Sequence, residues 1–177
     1  LQLSYKYAKL FDTNYIKEFT LYINGVLLKM EKSEILILNG PNLNMLGIRE
    51  PHIYGSESLE DIESMSKDQA RLHGLAVDFR QSNFEGELVT IIQQARDNSS
   101  GIILNPAGYT HTSVAILDAL KLTDLPVIEL HLSNPHTREK FRHKSFVSEV
   151  ATGIICGFGS FGYILAIDAL ARLIDSE

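Results

Sequence analysis

The sequence has little of what marks secreted, membrane-spanning or nucleic-acid-binding proteins. It contains one cysteine, Cys156, so an internal disulfide cannot form and a reducing, cytoplasmic environment is expected. Its apolar runs are far too short to span a bilayer. It has no block of lysine and arginine, and a formal net charge of −6 argues against general nucleic-acid binding. The composition, 45% hydrophobic and 21% charged, instead fits one globular domain with a core.

The motifs of common metal and cofactor sites are also missing at the predicted strand ends. No CxxC, no HExxH and no histidine pair at ligand spacing occurs there, which argues against a metal site. Neither a Walker phosphate loop nor a GxGxxG follows the first apolar run, which weakens the case for nucleotide binding. The lysines avoid the polar clusters described below, so Schiff-base chemistry is disfavoured.

The first 33 residues differ from the rest of the chain. Tyrosine, lysine and asparagine are scattered there without clear periodicity, and Met30 stands just before the first long apolar run. We expect that Met30 is the physiological start or that residues 1–29 are dispensable. The predicted organisation is a dispensable N-terminal extension at 1–33 and a single catalytic domain at 34–177.

From residue 34 on, short apolar runs alternate with helical patterns. The runs are 35–38, 75–79, 102–104, 127–130 and 153–156. The helical patterns cover 58–73, 86–97, 111–122, 135–143 and 160–175. Ser58-x-x-Asp61 is a capping pattern for the first helix, and Thr110 is the expected N-cap of the third. This alternation predicts an α/β fold, a flavodoxin-like three-layer sandwich with a five-stranded parallel sheet.

Polar residues follow four of the predicted strands. The clusters are 39–44, 81–86, 105–111 and 129–134. Because parallel strands end at one edge of a sheet, and ligands bind beyond that edge, the four clusters predict an active-site edge.

A loop between Gly47 and Gly55 follows the first strand and carries Arg49 and Tyr54. Glycine flanks suit the hinges of a lid, because glycine absorbs changes of φ and ψ easily. A tyrosine with an ordinary pKa near 10 is hardly ionised at neutral pH, and a nearby guanidinium favours the phenolate. The two side chains are therefore a candidate base and its activator.

Two histidines, His111 and His131, stand at adjacent strand ends. At least one of them is expected to transfer a proton, and the residues alone do not choose between them. Leu132 and Ser133 open the 135–143 segment, so their backbone N–H groups can face a carboxylate at a helix N-terminus.

The roles of three charged residues stay open at this point. Arg138 and Arg142 are four positions apart, and either can clamp an anion, although a solvated face shared with Glu139 is equally plausible. Asp118 lies in the middle of the third helix, where an acid usually just faces solvent, and its functional use would require a neighbouring subunit.

The motifs resemble those of the type II 3-dehydroquinate dehydratases over residues 34–175. The longest block is Asn39-Gly40-Pro41-Asn42-Leu43-Asn44-x-Leu46-Gly47-x-Arg49-x-Pro51-x-x-Tyr54-Gly55. The others, in order, are Ser82-Asn83-x-Glu85-Gly86, Asn105-Pro106-x-x-Tyr109-x-His111-Thr112-Ser113, Glu129-x-His131-x-Ser133-Asn134 and Arg138-Glu139-x-Phe141-Arg142. The resemblance implies anti elimination of water from 3-dehydroquinate, without a cofactor, in the shikimate pathway.

The resemblance also implies a role for each matching residue. Tyr54 would be the base, and Arg49 would favour its phenolate. Asn42 would hold a water on the enolate oxygen, while His131, oriented by Glu129, would protonate the leaving hydroxyl.

The remaining matches imply substrate contacts. Asn105, His111 and Arg142 would bind substrate hydroxyls, and the amides of Leu132 and Ser133 would bind its carboxylate. Asp118 would reach a neighbouring site in a homo-oligomer, a dodecamer in which trimers pack together.

Three other interpretations remain. A flavodoxin-like binding module for a nucleotide or flavin would show flavin colour. An inactive homologue kept as a scaffold would be expected if residues 1–33 block assembly, and it would size as a monomer. A lysine-dependent dehydratase would lose activity on borohydride treatment with substrate.

Overall fold

The computed structural model describes residues 18–23, 26–31, 33–47 and 57–176. The chain divides into two compact units, Leu1–Lys32 and Ser33–Glu177. In the first unit, strands β1 (Glu18–Ile23) and β2 (Val26–Glu31) pair antiparallel, a pairing that the irregular sequence of this segment does not predict. That residues 1–33 are dispensable stays a prediction.

The second unit alternates strands with helices. Its strands are β3 (Glu34–Asn39), β4 (Ala76–Gln81), β5 (Ile102–Asn105), β6 (Val127–His131) and β7 (Gly153–Cys156). Its α-helices are α1 (Leu59–Leu72), α2 (Glu85–Asn98), α3 (Val114–Lys121) and α4 (Phe161–Ile174). The strands form one parallel sheet in the order β4-β3-β5-β6-β7. The predicted fold class, an α/β flavodoxin-like three-layer sandwich with a five-stranded parallel sheet, is confirmed.

Strand β3 is buried on both faces, as its uninterrupted apolar run predicts. Successive side chains of a strand point to opposite faces, so Ile35 and Ile37 join one core cluster while Leu36 and Leu38 join the other. The first cluster includes residues of α1 and α4, and the second includes residues of α2 and α3. The sheet is therefore covered by helices on both sides.

The helix boundaries agree with the sequence for three of the four α-helices. Ser58 caps α1 as predicted, because its hydroxyl accepts a hydrogen bond from the Asp61 backbone N–H while the Asp61 carboxylate accepts one from the Ser58 N–H. The N-cap predicted at Thr110 is wrong. Ser113 caps α3 instead, accepting from the Ile116 N–H at 2.9 Å, and a 3₁₀ turn at Ala107–His111 precedes it.

The helix predicted at 135–143 is also wrong, because two 3₁₀ turns stand in its place, Pro135–Thr137 and Lys140–His143. Between them Glu139 adopts an extended conformation, with φ −63° and ψ 142°, which interrupts helical hydrogen bonding. The stretch after β6 therefore consists of two short turns rather than one helix.

The strand order reverses between β3 and β5, since the chain first adds β4 on one side of β3 and then β5 on the other. Asn39 and Asn105 are paired in register at the carboxyl ends of these two strands. Ligands of open α/β sheets bind beyond such a reversal point.

Candidate active site

A cavity of about 220 Å³ opens beyond the carboxyl ends of β3, β5 and β6. It is lined by Pro41, Asn42, Leu43, Met45, Leu46, Asn105, Ala107, Gly108, His111, His131, Leu132, Ser133, Pro135, Arg138 and Arg142. Three of the four polar clusters predicted to converge therefore do so. The lining has histidines, an arginine pair and amides on an otherwise apolar wall, which suits a small anionic ligand.

The fourth cluster, after β4, supports the cavity instead of lining it. Asn83 accepts a hydrogen bond from the Asn42 backbone N–H at 2.8 Å through its side-chain oxygen. Its backbone carbonyl accepts from the Tyr109 hydroxyl at 3.0 Å. Asn83 thus ties the loop after β3 to the loop after β5, and both of these loops line the cavity.

The backbone turns sharply where β3 enters the cavity. Gly40 lies so close to the next strand that a Cβ there would be 2.6 Å from the Pro106 carbonyl oxygen. Asn42 adopts the left-handed region at φ 68°, which asparagine tolerates better than most residues. Asn42 lines the cavity at this turn.

Beneath the cavity, His131 Nε2 lies 2.7 Å from the Oε1 atom of Glu129. The Glu129 side chain is completely buried, while 12% of the His131 side chain is exposed. A carboxylate accepts hydrogen bonds only, so Nε2 carries the proton and Nδ1 is the second nitrogen of this cavity-lining ring. The pair has the geometry of an oriented proton donor.

The Glu129 carboxylate also accepts hydrogen bonds from three hydroxyl groups. Thr110 Oγ1 lies 2.5 Å and Ser145 Oγ 2.8 Å from Oε1, and Ser148 Oγ donates to Oε2. Burial raises the pKa of Glu129, but the hydrogen bonds outweigh burial and lower its pKa to about 2. The strongest of these lowering contacts is with His131, followed by Ser148 and Thr110. Glu129 is therefore an anion throughout the physiological range.

The residues that supply these hydroxyl groups were not among those predicted for the site. Ser145 and Ser148 lie outside the predicted polar clusters, and Thr110 is assigned there only as a helix cap. A buried acid two residues before a histidine signals that hydroxyl donors are needed, because a buried charge must be hydrogen-bonded. That signal does not say which serine or threonine supplies them.

Three further candidate residues, His111, Arg138 and Arg142, also line the cavity. His111 Nδ1 lies 2.7 Å from the Lys144 carbonyl oxygen, which holds its ring. Arg142 Nε donates to Glu139 at 2.8 Å, and Arg138 Nε lies 3.7 Å from the same carboxylate. Both arginines line the cavity, so the choice between them stays open in the geometry.

At the reversal point, Asn105 contacts a fully buried tyrosine of α4. The Tyr163 hydroxyl donates to Asn39 Oδ1 at 2.6 Å, and Asn105 Nδ2 donates to the Tyr163 oxygen at 3.3 Å. Tyr163 was not among the residues predicted for the site, because only the extent of its helix, 160–175, was predicted.

Three predicted site residues are not brought together in the described structure. Asp118 is exposed on α3 and does not line the cavity. Arg49 and Tyr54, with the predicted lid, lie outside the described residues.

The described residues hold neither a metal-binding cluster nor a membrane-spanning helix. In the ranges given above, histidine, cysteine and acidic side chains form no group of three suited to a metal ion. Within the same ranges, none of the helices has the length and apolarity needed to cross a membrane.

Comparisons with known proteins agree on one family. The sequence model described as Dehydroquinase class II matches residues 33–171. The 3-dehydroquinate dehydratase 2 of Pseudomonas putida is 57% identical over 146 residues, covering 82% of this chain and 98% of the relative. The 3-dehydroquinate dehydratase of Rhizobium meliloti is 55% identical over 145 residues, covering 82% and 98%. The crystal structure of the type II dehydroquinase of Propionibacterium acnes superposes with a TM-score of 0.77 at 44% identity, covering 79% of this chain and 97% of that one. The fold, the strand-end cavity and these matches together place the chain in the class II dehydroquinase family.

Proposed function

We propose that this chain is a 3-dehydroquinate dehydratase, which eliminates water from 3-dehydroquinate to give 3-dehydroshikimate. The observation that carries the proposal is the His131–Glu129 pair at a cavity that also holds two arginines, in a member of this family. A hydroxyl group is a poor leaving group unless it is protonated as it departs. An oriented imidazole beside an anion-binding wall meets that requirement.

The elimination begins at the carbon beside the ketone. Tyr54 takes a proton from this carbon as a phenolate, and Arg49 stabilises the phenolate; both assignments rest on the family resemblance. The electron pair of the C–H bond moves toward the ketone and forms an enolate. Asn42, in the cavity wall, holds the water that donates a hydrogen bond to the enolate oxygen.

In the second step the enolate collapses and the hydroxyl group leaves as water. His131 supplies the proton as an imidazolium. The negative charge of Glu129 beside it stabilises that imidazolium. The family resemblance implies an anti elimination, in which the base and the acid act on opposite sides of the substrate ring. No redox change occurs, so the step balances without a cofactor.

The remaining lining residues bind the substrate. Asn105, His111 and Arg142 bind its hydroxyl groups, and the backbone amides of Leu132 and Ser133 bind its carboxylate. In the contacts above, Arg142 donates to Glu139 through Nε alone. A guanidinium has five N–H donors, so others can serve the substrate.

The assembly and the cellular setting belong to the same proposal. Asp118, exposed on α3, completes the site of a neighbouring subunit in a homo-oligomer, a dodecamer in which trimers pack together. The enzyme acts in the cytoplasm as a shikimate-pathway enzyme of aromatic amino acid biosynthesis.

The direct test is conversion of 3-dehydroquinate by the purified full-length chain. The product is a conjugated enone, so its formation is followed as a rise in ultraviolet absorbance. Borohydride added with the substrate should leave the activity intact, because no lysine forms a Schiff base in this mechanism. A chain that folds and assembles but gives no absorbance rise would contradict the proposal.

A further inference from the structure

The reversal point of the sheet holds a chain of hydrogen bonds that runs from the outer strand to the cavity. Asn39 Nδ2 donates to the Arg80 carbonyl oxygen of β4 at 3.1 Å. The Tyr163 hydroxyl donates to Asn39 Oδ1 at 2.6 Å, and Asn105 Nδ2 donates to the Tyr163 oxygen at 3.3 Å. Two side chains, Asn39 and Tyr163, therefore link a backbone carbonyl to Asn105, which lines the cavity.

Only one direction of donation along this series of hydrogen bonds satisfies every group. A backbone carbonyl only accepts, so Asn39 must turn its NH₂ group to Arg80 and its oxygen to Tyr163. The single hydroxyl proton of Tyr163 is then used on Asn39, and its oxygen can only accept from Asn105.

The second contact of Asn105 enforces the same orientation. Its Oδ1 accepts from the Ala107 backbone N–H at 3.3 Å. A flipped Asn105 amide would turn its NH₂ group toward this N–H and its oxygen toward a tyrosine oxygen that has no proton to give. Both contacts would be lost in a site where Asn105 is 3% exposed.

We infer that Tyr163 is a positioning residue, which sets the polarity that Asn105 presents to a ligand in the cavity. One N–H of the Asn105 amide donates to the Tyr163 oxygen. The other N–H is left for a ligand oxygen, as recognition of a hydroxyl group or carbonyl requires. Tyr163 itself is fully buried and does not line the cavity, so it acts only through Asn105. The inference rests on the proposed function, since it needs Asn105 to contact the substrate.

The test is a double-mutant cycle on the full-length chain with 3-dehydroquinate as substrate. Tyr163→Phe keeps the ring, which packs 6.4 Å from the Phe79 ring, and removes only the hydroxyl. We expect it to lower kcat/KM about tenfold, mainly through KM, in the otherwise unchanged enzyme. In an Asn105→Ala background the same substitution should change kcat/KM less than about twofold.

Thr123→Val is the matched control, because it too removes a buried hydroxyl. This hydroxyl donates to the Leu120 backbone carbonyl, just after α3 and outside the cavity lining. Its effect on kcat/KM should be small and equal in both backgrounds. Asn39→Ala is a second route if Tyr163→Phe does not fold. It frees the tyrosine hydroxyl from its acceptor, and its loss of kcat/KM should likewise vanish in the Asn105→Ala background.

The outcomes separate this inference from the proposed function. If Tyr163→Phe lowers kcat/KM equally in both backgrounds, Tyr163 is merely structural and the inference alone fails. If Asn105→Ala leaves kcat/KM unchanged, the substrate contact of Asn105 fails and the inference fails with it. If the unchanged enzyme does not convert 3-dehydroquinate, the proposed function itself fails and removes the basis of both.

Discussion

Glu129 and His131 are joined by a 2.7 Å hydrogen bond because they stand two positions apart on β6. Residues i and i+2 of a strand point to the same face, so the carboxylate and the imidazole reach each other without a turn. The strand then ends at His131, which leaves the ring at the cavity and the acid beneath it. This short spacing joins a fully buried anion to an imidazole that lines the cavity.

His131→Gln should lower kcat by about 10²–10⁴-fold with little change in KM, because it removes general acid catalysis while leaving a side chain of similar length. The measurement is steady-state kinetics with 3-dehydroquinate, with thermal unfolding as a check on folding. His136→Gln, at an exposed residue that does not line the cavity, is the matched control and should retain the activity of the unchanged enzyme. A normal kcat in His131→Gln would mean that another group protonates the leaving hydroxyl.

Glu129 should make stability depend on pH in the acid range. Its pKa is lowered from 4.5 to about 2 in the folded chain, so its contribution is present above about pH 4.5 and is lost as the pH falls toward 2. At about 1.4 kcal/mol per unit, the contribution is on the order of 3 kcal/mol.

Glu129→Gln removes this titration, so its deficit in melting temperature should be largest near neutral pH and shrink as the pH falls. Glu149→Gln makes the same chemical change at an exposed residue and should follow the unchanged chain at every pH. A deficit of Glu129→Gln that stays constant with pH would mean that the folded chain does not depress the pKa of this acid.

Gly40→Ala should destabilise the chain and lower its activity, because the new Cβ would lie 2.6 Å from the Pro106 carbonyl oxygen and push apart two cavity loops. A cost of about 1–3 kcal/mol is typical of such overpacking. Gly86→Ala is the control, since a Cβ there meets nothing within 4 Å and lies in α2, where alanine is favoured. Thermal unfolding of the two variants gives the comparison, and equal melting temperatures would contradict the clash.

Subunit sharing can be tested by mixing two inactive variants. If Asp118 completes a neighbouring site, Asp118→Asn should lose activity although this residue is exposed and its loss does not disturb the core. Oligomers reassembled from Asp118→Asn and Tyr54→Phe chains would then contain some sites with both groups intact. Activity should reappear on mixing, and its absence, with mixed oligomers verified by mass, would place the role of Asp118 within its own subunit.

The sequence predicted the elements whose signals are local. The run at 35–38 is apolar throughout and becomes the doubly buried strand β3, and Ser58 with Asp61 carries the α1 start within four residues. The site required contacts between distant positions. Thr110 fails as a helix cap because its hydroxyl serves Glu129, 19 positions away, and Tyr163 reaches Asn39 across 124 positions. Contacts between such distant residues produce no periodic pattern in the sequence.

The helix predicted at 135–143 failed for a related reason. The spacing of Arg138 and Arg142 suits a helical face, yet the segment has few apolar residues to bury. Helices this short gain most of their stability from packing rather than from propensity. The segment instead forms two 3₁₀ turns, and both arginines still line the cavity.

The most direct test of the proposed function compares the unchanged chain with Tyr54→Phe in the absorbance assay with 3-dehydroquinate. The substitution removes one hydroxyl group, so the variant should fold and assemble normally. The proposed mechanism predicts a steady absorbance rise with the unchanged chain and essentially none with Tyr54→Phe. Equal rates for the two would contradict Tyr54 as the base, and no rise from either would contradict the activity itself.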